Sequence, residues 1–160
     1  MTYPPRIDGQ WIYDNAGIFS VAAKRAANDK IELISFRRGG TVIVYTQYKS
    51  SAAAISSVED VDALMREWGF ERPGYYDGLA LAMLFNIIRT PCLPGVAGNG
   101  QLQMHGTDGF WIGRDERDAI LDDTMQPLLA VCDFDGALLA ALDRMIAAIP
   151  TPEPSRRPGP

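Results

Sequence analysis

The sequence predicts an α+β fold in which two β-hairpins form an antiparallel sheet that helices cover on one face. Two observations lead to this prediction. β-Branched and aromatic runs flank a glycine turn within residues 31–46, and apolar residues recur at helical spacing in later segments. The chain has 160 residues, 47% of them hydrophobic, which suits one domain. We therefore expect a single globular domain over residues 1–150.

The first hairpin is expected where two strand-like runs meet. Ile31–Phe36 and Thr41–Thr46 are rich in the residues that favour extended backbone. Gly39 and Gly40 lie between them and accept the positive φ that tight hairpin turns need. The second hairpin is predicted from three consecutive segments: Leu102–Met104, His105–Gly109 and Phe110–Ile112.

Helices are predicted where apolar residues recur three or four positions apart. The pattern is clear in residues 58–68 and in residues 138–149, and residues 115–123 form an acidic helical stretch. Residues 79–88 are apolar nearly all round, which favours a buried central helix. Residues 18–28 fit both helical and strand periodicity, with helix favoured by their alanines.

The remaining segments indicate a long loop, a disordered tail and the compartment of the protein. Residues 90–101 form a long loop rich in glycine and proline, and loops of this kind are often functional. Residues 151–160 contain four prolines and are expected to be a disordered tail. No apolar run resembles a signal sequence or spans a bilayer, so a cytoplasmic protein is expected, with Cys92 and Cys132 as free thiols.

The charge distribution points to a protein partner. The net charge of −5 argues against nucleic acid, and no segment suggests a membrane partner. Residues 58–150 carry six bases and fifteen acids, hence −9, which would attract a partner with a basic surface. The candidate binding residues are five acids and three aromatic residues: Asp115, Glu116, Asp118, Asp122, Asp123, Trp111, Tyr75 and Tyr76.

A catalytic alternative depends on the single histidine. Cys92 would be a thiol nucleophile, His105 its base, and Asp108 or Asp115 the group that orients the base. The non-catalytic interpretation is a loop cysteine and a turn histidine that do not contact each other. The histidine and the two cysteines match no zinc spacing, and the acids match no calcium loop, so no metal or cofactor is expected.

One segment resembles a phosphatase motif. The apolar run before Asp133-Phe134-Asp135-Gly136 resembles the nucleophile motif of haloacid-dehalogenase-type phosphatases, in which one aspartate attacks phosphorus and the second is the acid/base. That family has threonine after the glycine, whereas Ala137 stands here. Only twenty-four residues follow Gly136, too few for the rest of such a domain. We therefore expect one of these aspartates to cap the final helix.

These observations favour binding over catalysis. The predicted function is a small acidic protein-binding module, such as an immunity or inhibitor protein or a secretion chaperone. The alternatives are a Cys–His hydrolase or transferase using Cys92 and His105, and a structural or assembly subunit. A second copy of the chain, forming a homodimer, is a further candidate partner.

Overall fold

A four-stranded mixed sheet organises the part of the chain that the computed structural model describes, which comprises residues 3–51, 53, 57–70 and 79–150. The strand order is β1-β2-β3-β4; β1, β2 and β3 are parallel, and β4 is antiparallel to β3. The predicted antiparallel sheet of two hairpins is therefore wrong. The strands are β1 (Ile12–Asp14), β2 (Thr41–Tyr48), β3 (Ala80–Ile87) and β4 (Gly100–Gly106).

Helices cover both faces of this sheet, not one as predicted. Helices α1 and α5 pack together with one face in the larger hydrophobic core, and α2 packs on the other face in a second core. None of the described helices is long and apolar enough to cross a membrane. The helices are α1 (Val21–Arg38), α2 (Ser57–Glu67), α3 (Arg114–Ala119), α4 (Gln126–Leu129) and α5 (Phe134–Ala147), with a π-helical segment (Ile120–Met125) between α3 and α4.

The predicted first strand, Ile31–Phe36, is the C-terminal half of α1. Its buried residues Ile31 and Ile34 continue a helical stripe that starts at Ala23, whereas Phe36 is 89% exposed. Gly39, at φ 80°, ends the helix and donates its N–H to the Ser35 carbonyl at 2.8 Å. The glycine taken for a hairpin turn is therefore a helix cap, because both structures need a positive φ.

The predicted central helix, residues 79–88, is instead strand β3. Every residue from Ala80 to Ile87 is buried, because β3 lies between β2 and β4 and has helices on both faces. A strand buried on both faces needs no alternation of polar and apolar residues, so it resembles a buried helix in sequence.

The second predicted hairpin is half correct. Leu102–Met104 lies within β4, but Phe110–Ile112 is not a strand. A turn closes with the Phe110 N–H donating to the Thr107 carbonyl, after which Phe110 and Ile112 are buried in the larger core. The chain leaves the sheet here because its apolar side chains fill the space beside α5.

Three helical predictions are confirmed. Residues 58–68 correspond to α2, residues 138–149 to α5, and residues 115–123 to α3 with the π-helical segment. The capping prediction is also confirmed, since Asp133 Oδ1 accepts the Gly136 N–H at the start of α5. The predicted tail, residues 151–160, lies outside the described residues.

Candidate functional site

A cavity of about 540 Å³ lies between β4 and α4, on the sheet face that carries α1 and α5. We call it the β4 cavity. Its volume is in the range typical of ligand-binding pockets, roughly 300–1,000 Å³. Its wall includes six large apolar residues from four elements and the start of α5: Phe85, Ile87, Leu102, Leu121, Leu129 and Phe134.

The polar groups that line the β4 cavity are neutral amides. Asn99, Gln101, Gln103 and Gln126 belong to the lining, and none of the described lining residues is charged. The Asn99 amide bonds within its own loop, and the Gln101 amide accepts a hydrogen bond from Ser57 on α2. Amides donate and accept hydrogen bonds without the desolvation cost of an ion. The cavity therefore combines apolar side chains with neutral polar groups.

The loop between β3 and β4 forms one side of the cavity and is fixed at two places. Cys92 forms a disulfide with Cys132, at the junction of α4 and α5, so the prediction of free thiols is wrong. Beside this bond, the Gly95 N–H donates to the Ala130 carbonyl at 2.7 Å. The loop and α4 are thereby joined across the cavity.

Asn99 gives the same loop its internal shape. Its side-chain oxygen accepts the Leu93 N–H, and its side-chain nitrogen donates to the carbonyls of Leu93 and Val96, all at 2.9 Å. Leu93 and Val96 are left exposed on the loop, and Val131 is exposed beside the disulfide. The loop is thus ordered by its own side chain and presents apolar groups next to the cavity.

The Cys–His arrangement is not assembled. Cys92 is held in the disulfide and offers no thiolate. His105 lies near the end of β4, whereas the Cys92 loop leads into the start of that strand. The His105 Nδ1 is instead 2.6 Å from Asp62 Oδ1 on α2. Asp108 and Asp115 are exposed, in the turn after β4 and in the first turn of α3.

The predicted acidic residues lie together on the surface. Asp115, Glu116 and Asp118 are exposed on α3, and Asp122 and Asp123 are exposed on the π-helical segment. The last two directly follow Leu121, which lines the β4 cavity. None of the five acidic residues lines the cavity.

The predicted aromatic anchors have a different outcome. Trp111 is partly buried, donates its Nε1–H to the Met145 carbonyl at 3.1 Å, and stacks on Phe110 with ring centroids 4.1 Å apart. Trp111 therefore packs into the structure and is not an exposed anchor. Tyr75 and Tyr76 lie outside the described residues.

Sequence reasoning missed a buried polar cluster on the opposite face, under α2. Lys49 Nζ lies 2.7 Å from Asp60 Oδ2, and Asn86 Nδ2 donates to the same oxygen at 3.0 Å. Asn86 Oδ1 in turn accepts from Gln47 Nε2 at 2.8 Å. Each side chain has a partner, which identifies this cluster as a structural network. The only signal in the sequence is Asn86, a lone polar residue within an apolar run.

The same face holds the tyrosines whose ionisation is most affected. Tyr3 is buried against Tyr45 and donates its hydroxyl to the Asp60 carbonyl at 2.9 Å. Burial, with the nearby Asp60 carboxylate, raises the pKa of Tyr3, and burial also raises the pKa of Tyr45. Both hydroxyls therefore lose their protons less readily than a tyrosine in water does.

Comparison with known proteins gives a family and a fold. Within the described residues, no group of three or more histidine, cysteine, aspartate or glutamate side chains is arranged to hold a metal ion. A family model described as the TPM domain matches residues 12–148. A search of curated proteins gives no match. The solution NMR structure of the N-terminal domain of a protein from P. gingivalis is similar, with a TM-score of 0.63 at 16% identity, covering 86% of this chain and 80% of that one.

Proposed function

The chain belongs to the TPM domain family, and we propose that it acts as a protein-binding module that takes an apolar segment of its partner into the β4 cavity. The observation that carries this proposal is the cavity itself, about 540 Å³ in volume, with an apolar wall and neutral amides. Exposed Leu93 and Val96 extend the apolar surface along the adjoining loop. Apolar anchors that enter such pockets supply most of the energy of protein recognition.

The disulfide indicates the kind of compartment in which the protein would meet its partner. Disulfides persist in oxidising compartments and are rare in the cytoplasm. The Cys92–Cys132 bond therefore favours a secreted, periplasmic or lumenal setting over the cytoplasmic one expected from the sequence. An inhibitor or a secretion chaperone would act in such a setting, and both belong to the predicted class of binding proteins.

The exposed acids on α3 and the π-helical segment fit the same proposal. Charges held in water add little to affinity, roughly 0–1 kcal/mol for each exposed pair. They accelerate the encounter with a cationic surface instead, and salt screens the effect. Asp122 and Asp123 are exposed and follow the lining residue Leu121 in the chain, so a basic partner would be steered towards this side of the protein.

A matched pair of valine substitutions tests the binding proposal. Val96 and Val58 are 47% and 54% exposed, but only Val96 lines the β4 cavity. Peptides selected on the wild-type protein from a displayed random library serve as the probe, with affinity measured by titration calorimetry. We expect Val96→Asp to weaken binding about tenfold or more, because it introduces a charge at an apolar contact. We expect Val58→Asp to bind like the wild type.

The thermal unfolding of both variants, followed by circular dichroism, controls for loss of structure. Selection of no peptide, or equal affinity for the two variants, would refute the proposal. Amide shifts in NMR spectra then identify the contacted residues. Shifts confined to the α2 face would place the binding site away from the β4 cavity.

A second candidate function is phosphate ester hydrolysis, which the name of the family model, TPM phosphatase, suggests. One observation favours it: the 2.6 Å contact between His105 Nδ1 and Asp62 Oδ1 orients the imidazole, as a carboxylate does for a catalytic histidine. The pair is partly exposed, at the end of β4 far from the Cys92 loop.

The hydrolysis candidate is tested with p-nitrophenyl phosphate. We expect the wild type to release p-nitrophenol and His105→Asn to lower the rate about a hundredfold, which is a typical contribution of a general acid or base. Asp108→Asn, in the exposed turn that follows β4, is the matched control and should leave the rate unchanged. A wild type that is inactive, or as slow as His105→Asn, removes this candidate.

A further inference from the structure

We infer that the partner binds as an added β-strand: an extended peptide pairs with the outer edge of β4 and inserts an apolar side chain into the β4 cavity. The inference rests on the proposed binding function and specifies the partner's chemistry. β4 is the last strand of the sheet, with β3 as its only strand neighbour among the described strands. The cavity wall includes four consecutive residues of this strand, Gly100 to Gln103.

The register of the sheet shows which backbone groups of β4 point outwards. The Thr107 N–H donates to the Ala80 carbonyl, and the Ile88 N–H donates to the Asn99 carbonyl, each at 2.9 Å. In an antiparallel pair, every second residue turns both backbone groups towards its neighbour. The odd-numbered residues of β4 therefore bond to β3, and the even-numbered residues direct their N–H and C=O groups away from it.

The outward groups form a short edge that no described strand covers. Among the described residues, none makes a hydrogen bond to the outward backbone of Gly100, Leu102 or Met104. The edge ends at Gly106, where the Arg117 guanidinium would lie 3.0 Å from an added Cβ. A backbone donor or acceptor without a protein partner must be hydrated or paired, and an extended peptide pairs with several in register.

Side-chain direction links this edge to the cavity. Leu102 and Met104 face the larger core, and Leu102 lines the β4 cavity. Residues directly opposite in paired strands have side chains on the same face of the sheet. A peptide residue opposite Leu102 would thus direct its side chain into the cavity, and the residues on either side of it would face the α2 side.

The lining of the cavity favours a particular class of peptide. The described cavity lining has no charged side chain; the exposed Asp122 and Asp123 follow the lining residue Leu121 in the chain, and the Arg89 guanidinium donates to the carbonyl of the lining residue Ala97. The structure therefore suits an extended segment with a neutral, apolar residue for the cavity, beside which the protein carries charges of both signs. A second copy of this chain is the competing occupant, and sedimentation velocity of the unliganded protein distinguishes it, because edge-to-edge pairing gives a dimer.

Amide hydrogen exchange with a selected peptide is the decisive experiment. In the free protein, we expect the outward amides of Leu102 and Met104 to exchange fast and the amide of Gln103, bonded to β3, to exchange slowly. Saturating peptide should slow the exchange of Leu102 and Met104 at least tenfold. A peptide that binds without protecting these amides would overturn strand addition while leaving the binding function in place. Absence of any binding peptide would overturn both.

Two chemical variants sharpen the result. Met104→Pro removes an outward N–H and leaves the β3 pairing intact, since proline is tolerated at this position of an edge strand. Met104→Leu keeps the N–H and an apolar side chain as the matched control. We expect affinity to fall about tenfold for Met104→Pro and to stay the same for Met104→Leu.

N-methylation of the peptide provides a test that leaves the protein unchanged. The backbone nitrogens of an added strand point alternately towards β4 and away from it. Methyl groups on the nitrogens that face β4 should abolish binding, and methyl groups on the other nitrogens should be tolerated. If both sets of methyl groups weakened binding equally, or if neither did, strand addition would be refuted. A monomer that dimerises through β4 without peptide would assign the edge to a second copy instead.

Discussion

Asp60→Ala is expected to lower the free energy of unfolding by about 3–5 kcal/mol, the typical cost of breaking a buried ion pair from one side. Asp60 accepts from Lys49 and from Asn86, and the side chains of Lys49 and Asp60 are only 11% and 9% exposed. Removing the carboxylate leaves the ammonium buried without a counter-charge and the amide without an acceptor. Urea denaturation at neutral pH measures the loss.

Two further variants identify the cause of that loss. Asp62→Ala, on the same helix, removes a carboxylate that is 43% exposed and bound to His105, so we expect a change of only about 0–1 kcal/mol. The double variant Lys49→Met with Asp60→Leu replaces the pair by apolar groups and should recover the part of the stability that the unpaired ammonium costs, whereas the buried Asn86 amide still lacks its acceptor. If Asp60→Ala behaved like Asp62→Ala, the pair would not be buried in solution.

The two largest errors in predicting the fold came from residues whose local preference fits two structures. Ile31–Phe36 has high strand propensity, but its buried residues also continue the stripe from Ala23 at helical spacing. Gly39 suits a hairpin turn and a helix cap equally well. Only packing against α5 decides between them, because α1 and α5 bury their apolar stripes against each other.

The apolar run at residues 79–88 shows the same limit. A run that is apolar throughout indicates burial, and it does not state the backbone conformation. Asn86 is the polar residue in this run. It is completely buried, and its partners Gln47 and Asp60 lie on β2 and α2. A polar residue in such a run needs partners from elsewhere in the chain, and the sequence does not name them.

The candidate site was predictable only in part. The glycine- and proline-rich composition of residues 90–101 predicts a loop of a kind that is often functional, and the C-terminal part of this loop lines the β4 cavity. The disulfide was not predicted, because Cys92 and Cys132 are 40 residues apart and only the tertiary fold brings them together. The cavity is likewise built from strands and helices distant in sequence. α2, α5 and the acidic helices were predictable because each has its own local pattern.

The second large effect on stability is expected from removal of the Cys92–Cys132 disulfide. Replacing Cys92 and Cys132 with serine should lower the free energy of unfolding by about 2–4 kcal/mol, mainly because the unfolded chain loses a cross-link. The wild type in a reducing agent should unfold at the same denaturant concentration as the double variant. The variant itself should not respond to the reducing agent, which provides the internal control.

The same variant separates the stability of the fold from the shape of the site. The disulfide joins the loop to the α4–α5 junction, and without it the Gly95–Ala130 hydrogen bond is the backbone contact that remains between them. We expect amide exchange in residues 93–98 to accelerate at least tenfold in the variant, while β2 and β3 stay protected. Peptide affinity should fall by a similar factor, because part of the binding energy then orders the loop.

Two other results would each change this interpretation. Lower stability with unchanged loop exchange and unchanged affinity would mean that the disulfide supports the core and leaves the cavity wall as it is. Unchanged stability, in reducing agent and in the variant, would mean that the bond does not form in solution, and the case for an oxidising compartment would fall with it. Faster exchange in the loop together with weaker binding would show that the Cys92–Cys132 bond holds the β4 cavity in the shape that its partner recognises.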